Sequence, residues 1–399
     1  MVLVVALLAA CAGSSSPRTG SATSGPATTG HPPASTTSRP VAVETFTGST
    51  DAFYRAPVPL PAGRPGDLIR VQAVGSTGAS ATLRVMYHSR DARGHDRAVT
   101  GLVTYPTGPA PKGGWPVVSW AHGTTGLASP CAPSRLGGTA PHFGVAGVDV
   151  ATDYIGMGPV GERLPYLSGA SEAHSVIDAV RAARNLRAAH AGPRWLAIGH
   201  SQGGHSALFT NQLAGSYAPE LQLLGTVSLA PAAVFTRTFG PADQLIPRMV
   251  LLMGLYGMQA EYPEIDPNDY VGPAIAKGAG AIDSGCMNGI INAFAGVPGD
   301  QFYRHSPLTT EPAKSIILAN DPGRVKAASP LLLVYGSADA WVVPARALAL
   351  FHQLCAVGQV TQLLELPGAT HDTEVGQGAG AVAAWFADRL AGKPVHDSC

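Results

Sequence analysis

Residues 195–204 read Trp-Leu-Ala-Ile-Gly-His-Ser-Gln-Gly-Gly, an apolar run that ends in G-x-S-x-G and continues into a helix-like stretch to about Tyr217. A serine hydroxyl is a poor nucleophile at neutral pH, so it must be lifted clear of its sheet and set beside a base. A sharp strand-to-helix turn does this, but it crowds the backbone on both sides of the serine. Gly199 and Gly203 leave room for that crowding. The pentapeptide alone says little in a chain with 48 glycines; the strand before it and the helix after it give it meaning. Ser201 is the expected nucleophile.

Such a serine needs a base, and the base needs an acid to orient it; on a strand-to-helix elbow they follow in the order Ser, Asp or Glu, His. Leu331 to Asp339 reads as a buried strand ending in a turn with one carboxylate, and Trp341 to Pro344 opens a helix. Asp339 therefore stands at a strand's C-terminal end and is the expected acid. Pro367 to Asp372 forms a loop between the last strand and the last helix, and His371 on it is the expected base. The chain has 13 histidines, so position must decide among them. His200 lies within the elbow strand and is expected to point away from the serine. His174 and His205 fall on helices and read as structural. Asp372 adjoins His371, and neighbours in sequence orient each other poorly; Asp321 lies within the cap expected at 235–328.

The tetrahedral intermediate of acyl transfer needs two N–H donors aimed at its oxyanion. Gln202 N–H follows the nucleophile at a helix N-terminus, where the dipole favours negative charge. The loop His122-Gly123-Thr124, after another short strand, offers the second, with Thr124 N–H the expected donor. These residues imply ester chemistry through an acyl-enzyme. No metal or organic cofactor is called for: H-E-x-x-H and a phosphate-binding glycine loop are both missing from the sequence.

The elements that must hold these groups alternate. Thr82–Tyr87 and Val99–Tyr105 alternate apolar and polar residues as half-buried strands do. Further strands are expected at 116–120, 147–152, 194–199, 225–229, 330–335 and 361–366. Helices are expected at 171–187, 204–217, 343–357 and 379–391. Strands alternating with helices imply an α/β fold with a largely parallel sheet. Residues 235–328 break the rhythm and are too long for an unstructured loop. They read as an inserted helical cap over the sheet edge where ligands bind. The run Met249 to Met258 serves either as cap core or as a wall for an acyl chain, since methionine accommodates varied apolar shapes.

Composition bounds the rest. The chain has 399 residues, of which 45% are hydrophobic and 13% charged, ample for a large core. The net charge is zero, without a basic patch, which gives no reason to expect nucleic acid. Residues 1–11 are an apolar run ending Leu-Ala-Ala-Cys, the pattern of a bacterial lipoprotein signal in which Cys11 is lipidated, although no Lys or Arg precedes it. Residues 12–43 are rich in Ser, Thr, Gly and Pro and read as a tether. The expected location is the cell envelope, lipid-anchored at a membrane surface, with secretion the alternative. The core is divided into 44–234 and 329–399 around the cap at 235–328. Four further cysteines in an exported protein suggest two disulfides. Of the three connectivities, Cys131–Cys286 with Cys355–Cys399 is favoured, because the second pair fastens the C-terminal residue to a large helix. Loops this long are worth about 4 kcal/mol each in the chain-entropy model.

Over roughly residues 53–392 the chain resembles the secretory lipase family of α/β-hydrolases, the bacterial and fungal group that includes the yeast lipase A type. The matching features are Pro61 to Asp67, Ala121-His122-Gly123-Thr124-Thr125-Gly126, and Asp153-Tyr154-x-Gly-x-Gly. Pro165-Tyr166-Leu167 and Gly199 to Gly204 complete the set. The resemblance implies an α/β-hydrolase fold with a mostly parallel central sheet and an inserted helical cap. It also implies lipase or carboxylesterase activity on acyl esters, with Ser201, Asp339 and His371 as the triad, and disulfides placed like those above. The lipid anchor departs from free secretion. An acyltransferase on the same triad and a non-catalytic lipid-binding lipoprotein are the alternatives. A monomer is expected, with lipid or another acyl ester as the partner.

Overall fold

The computed structural model describes residues 43–137, 141–235 and 245–399. Cys11 and nearly all of the tether therefore lie outside the described residues. Among the described residues, ten strands form one sheet: β1 (Glu44–Thr45), β2 (Leu68–Ser76), β3 (Ser80–Arg90), β4 (Asp96–Pro106), β5 (Trp115–Ala121), β6 (Val148–Thr152), β7 (Ala191–His200), β8 (Gln222–Leu229), β9 (Leu331–Gly336) and β10 (Thr361–Leu366). Their order is β1-β2-β3-β4-β6-β5-β7-β8-β9-β10. Short connections make β2, β3 and β4 an antiparallel meander, and β4 meets β6 antiparallel as well. From β6 to β10 every pairing is parallel, as helical crossovers require.

Sequence expectation and structure agree on the parallel strands to within a few residues. β2 has no counterpart in the sequence reading: it is buried only over its first three residues and runs out to the exposed edge. The last helix, expected from residue 379, starts at Glu374 and runs to Leu390. Gly376, Gly378 and Gly380 weaken helix propensity there, and tertiary contacts override it.

Alternation in the parallel strands sends side chains to both faces. Val117, Trp195 and Ala197 belong to the core that includes Val176, Ile177 and Val180 of the helix Gly169–Asn185. Val118, Leu196, Ile198, Val227 and Val334 pack with Val382, Trp385 and Phe386 of the helix Glu374–Leu390. Leu331 and Leu333 cluster with Leu350 and Leu354 of the helix Pro344–Ala356.

β8 and β9 are neighbours in the sheet, yet about a hundred residues separate them in sequence. The described part of that interval contains the helices Leu245–Met258, Pro273–Lys277, Gly280–Ser284, Met287–Phe294 and Ala313–Ala319. Cys286 bonds to Cys131, with Cα atoms 5.3 Å apart, and ties this interval to the segment after β5. Cys355 bonds to Cys399 and holds the C-terminus to the helix Pro344–Ala356. Among the described residues, no helix is long and apolar enough to cross a membrane.

Candidate active site

β5 has β6 on one side and β7 on the other, so the connections leaving β5 and β7 part at their C-terminal ends. Open α/β sheets bind ligands in such a crevice. Ser201 stands there, immediately after β7, with φ 60° and ψ −117°. A non-glycine residue in that region is strained and persists only where its surroundings over-determine it. Ser201 N–H donates to Leu229 O, and Ser201 O accepts from His205 and Ala232 N–H. Gly199 and Gly203 are required by space: a Cβ on Gly199 would lie 2.0 Å from Gly203 O, and one on Gly203 would lie 1.9 Å from Ala121 O.

The structure brings Ser201, His371 and Asp339 together. His371 Nδ1 is 2.8 Å from Asp339 Oδ2, and its Nε2 is 2.9 Å from Ser201 Oγ. An ionised carboxylate only accepts, so Nδ1 carries the proton and Nε2 is left to accept from the serine hydroxyl. Asp339 Oδ1 takes two further N–H donors, from Trp341 at 2.7 Å and Val342 at 2.9 Å. Burial pushes the Asp339 carboxyl up. The hydrogen bonds from His371 and the two N–H groups outweigh it and hold the group below its ordinary value.

The oxyanion candidates flank the serine. Gln202 begins the helix Gln202–Tyr217, so its N–H is one of the donors that a helix start leaves without an internal partner. Its side chain is buried and donates to Glu172 Oε1 at 2.8 Å. On the facing loop, a Cβ on Gly123 would sit 3.6 Å from Ser201 Cβ. Thr124 Oγ1 is hydrogen-bonded to Tyr166 OH at 2.6 Å. Tyr154 OH donates to His122 O at 2.9 Å, and Asp153 accepts from Thr100 Oγ1 and Ser134 N–H. The Asp153-Tyr154 and Pro165-Tyr166 motifs thus buttress the loop that faces the nucleophile.

His200 corrects one expectation: it does not point away from the serine's surroundings. Its ring centroid lies 4.5 Å from that of His371, and it lines the same cavity. Strand parity holds within β7, but His200 is its last residue, where the loop carrying His371 folds over the rim. Burial, with the His371 charge beside it, pushes its pKa down to about 3, so it packs as a neutral ring. Trp341 packs on His371 too, at 4.9 Å. Neither contact is visible in sequence, since each depends on where the loop carrying His371 folds: over the end of β7 for His200, and against the turn after β9 for Trp341. His174 and His205 are structural as expected. His205 is buried between Glu172 Oε2 and Asn320 O, and His174 stacks on Tyr217.

A cavity of about 490 Å³ opens at Ser201 and His371. Ile246, Pro247 and Val250 wall it from the helix Leu245–Met258, with Cys286 and Met287 beside them. Met249, Met253 and Met258 are buried in the core instead. That divides the two readings of the run Met249 to Met258: the methionines pack the core with Leu251, Leu252 and Leu255, and Val250 faces the cavity. A larger surface groove, about 650 Å³, lies beside Arg163 and Asp283, away from the triad, and contains no comparable nucleophile–base pair.

A parallel sheet with a serine on its elbow and histidine and aspartate at the following strand ends defines the α/β-hydrolase class. The family model described as secretory lipase matches residues 143–398, and the chain belongs to this family. Lipase 10 of Candida albicans is 21% identical over 88% of this chain and 83% of its own length. Lipase A of Moesziomyces aphidis is 25% identical over 44% of this chain and 41% of its own. Among solved structures, Candida antarctica lipase A matches with a TM-score of 0.71 at 18% identity, covering 88% of this chain and 87% of that one. The rice cell wall degrading esterase LipA from Xanthomonas oryzae matches at 0.69 and 18%, over 83% and 100%. The chain is an ester hydrolase with the α/β-hydrolase fold.

Proposed function

We propose that the chain hydrolyses acyl esters through a Ser201–His371–Asp339 triad and an acyl-enzyme intermediate. The observation that carries this reading is His371 bridging Asp339 Oδ2 at 2.8 Å and Ser201 Oγ at 2.9 Å. Ser201 Oγ attacks the ester carbonyl carbon while His371 Nε2 takes its proton. The N–H groups of Gln202 and Thr124 receive the oxyanion. His371 then protonates the leaving alcohol, and the acyl group stays on Ser201. Water, deprotonated by the same nitrogen, attacks the acyl carbon and releases the acid. Asp339 keeps Nδ1 protonated and stabilises the imidazolium.

In this reading residues 235–328 are a cap, and the cavity walled by Ile246, Val250 and Met287 takes the acyl chain. Export followed by lipid attachment at Cys11 would hold the enzyme at a membrane surface. The test is initial rates on 4-nitrophenyl esters of increasing acyl length. Ser201→Ala and His371→Ala are expected to lower kcat by about 10⁴ or more, with Asp339→Asn falling nearly as far. Full activity in Ser201→Ala would overturn the triad reading. Metabolic labelling of the producing cell with palmitate, with Cys11→Ser as the control, tests the anchor, and an unlabelled mature chain would overturn it.

A further inference from the structure

The helix Glu374–Leu390 begins three residues after His371, and its first side chain is not an ordinary helix-start carboxylate. Helix N-termini favour ionised acids on their exposed side. Glu374 is instead fully buried. Its Oε1 accepts the Gly336 N–H at 2.7 Å, from the last residue of β9 and the start of the turn that carries Asp339. The approach is close enough that a Cβ on Gly336 would sit 2.8 Å from this oxygen. Oε2 is sealed from solvent and meets no donor.

A buried carboxylate oxygen without a donor is costly, whereas a protonated one needs only an acceptor. The turn that Gly336 opens carries Asp339, the carboxyl whose charge acts on Glu374, and two such groups in a dry site do not both ionise. The groups that face Glu374 are Gly336 N–H and Asp339 on the turn after β9. His371, on the loop after β10, is reached through Asp339. No cation is among the groups acting on Glu374; Arg346, on the helix Pro344–Ala356, acts on Asp339.

We propose that Glu374 is a positioning residue for the hydrolysis: a neutral carboxyl that braces the Asp339 turn and leaves Asp339 as the single negative charge behind His371. The proposal rests on the triad reading above. Burial, then the Asp339 charge and the hydrogen bond to it, hold Glu374 protonated up to about pH 8, against the pull of Gly336 N–H. Ionisation sets two carboxylates side by side, removes a donor from Asp339 and pushes it off His371 Nδ1. Turnover then falls with a midpoint near that pH. Substrate binding does not change, because Glu374 does not line the cavity.

The experiment compares Glu374→Gln with Glu374→Leu, measuring kcat and KM separately from pH 6 to 10. A glutamine amide keeps the acceptor for Gly336 N–H and the donor for Asp339 but cannot ionise. Glu374→Leu is expected to lose about tenfold to a hundredfold in kcat at pH 7 with KM little changed. Glu374→Gln is expected to restore most of that loss and to extend the kcat plateau past pH 8. A fluorophosphonate label that reacts with the serine counts assembled sites, so loss of folded protein is separated from loss of turnover. If Glu374→Leu does not fold, the Glu374→Gln profile decides alone. A Glu374→Gln profile superimposable on the unmodified enzyme, or a Glu374→Gln as slow as Glu374→Leu, would overturn the proposal. His371→Ala measured alongside keeps the outcomes apart: activity in that variant overturns the triad reading, whereas its loss together with an unchanged Glu374→Gln profile overturns only the role of Glu374.

Discussion

Gly203 has no side chain, yet it decides whether Ser201 can stand above the sheet. A methyl group there would sit 1.9 Å from Ala121 O, which is backbone and cannot yield cheaply. Gly203→Ala is expected to cost about 3 kcal/mol of stability, at the top of the overpacking range, and to cut kcat by moving the elbow off β5. Gly215, on the same helix, has nothing within 4 Å of an added Cβ. Gly215→Ala is expected to stabilise by up to about 1 kcal/mol through helix propensity, with activity retained. Urea melts of both variants check the pair; equal stability would show that the crowding does not matter. The residues legible from sequence share one property, which is that a local pattern places them. Ser201, Asp339 and His371 each follow an apolar strand, so all arrive at one edge of the sheet. His200, Trp341 and Glu374 arrive through contacts with residues distant in sequence, and no local period signals that. Glu374 is hidden further by lying in a glycine-rich stretch, where helix propensity is weak.

The helix Leu245–Met258 works on two sides at once. Its methionines pack the core while Ile246, Pro247 and Val250 face the cavity, so substrate fit and stability can be altered separately. Val250→Trp is expected to fill part of the 490 Å³ space and lower kcat/KM for long-chain esters by about tenfold or more relative to the acetate. Met253→Ala is expected to cost about 2–5 kcal/mol with the chain-length profile unchanged. If Val250→Trp slows all esters equally, the cavity is not the acyl site. Most of the core elements could be read from sequence because hydrophobic alternation and βα punctuation agree with the packing. The interval between β8 and β9 read only as helical and inserted. Its described helices run from 5 to 14 residues, and several begin without a side-chain cap, so neither period nor cap marks their ends. Tertiary contacts and the Cys131–Cys286 bond place them instead. β2 escaped because only its start is buried, which leaves a weak alternation at an exposed edge.

Taken as a whole, the molecule has two sets of buried titratable groups whose pH dependences oppose each other. Burial pushes His200 down to about 3, and it lowers His122 and His174 as well. These rings are neutral when folded but bind protons when unfolded below about pH 6.5. Their contribution is present above that pH and is lost as pH falls toward the folded values. Burial raises Asp178 to about 6 and Glu374 to about 8, and lifts Asp149 and Glu261. A raised carboxyl contributes fully below its unfolded value near about 4, and that contribution is lost as pH climbs through the folded one. Between about pH 4 and 6.5 the two sets act in opposite directions, which holds down the change in stability. Below that window His200 continues to titrate. Asp91 and Asp339, whose hydrogen bonds outweigh burial, also lose their stabilisation on protonation. Above it Glu374 keeps titrating, up to about 8. Tyr87, Tyr154 and Tyr303 are raised well above 10 by burial, so beyond about pH 10 these phenols ionise only in the unfolded chain. Calorimetric Tm measured from pH 3 to 11 is therefore expected to show a plateau from about pH 4 to 6.5, falling steeply below it. It should decline by several degrees toward pH 8, level off, and fall steeply again above about pH 10. Glu374→Gln is expected to flatten the decline between the plateau and pH 8 and leave both outer falls in place. A single maximum at pH 8 or above would mean that the buried carboxyls are ionised in the folded protein, and the neutral Glu374 behind Asp339 would fall with them.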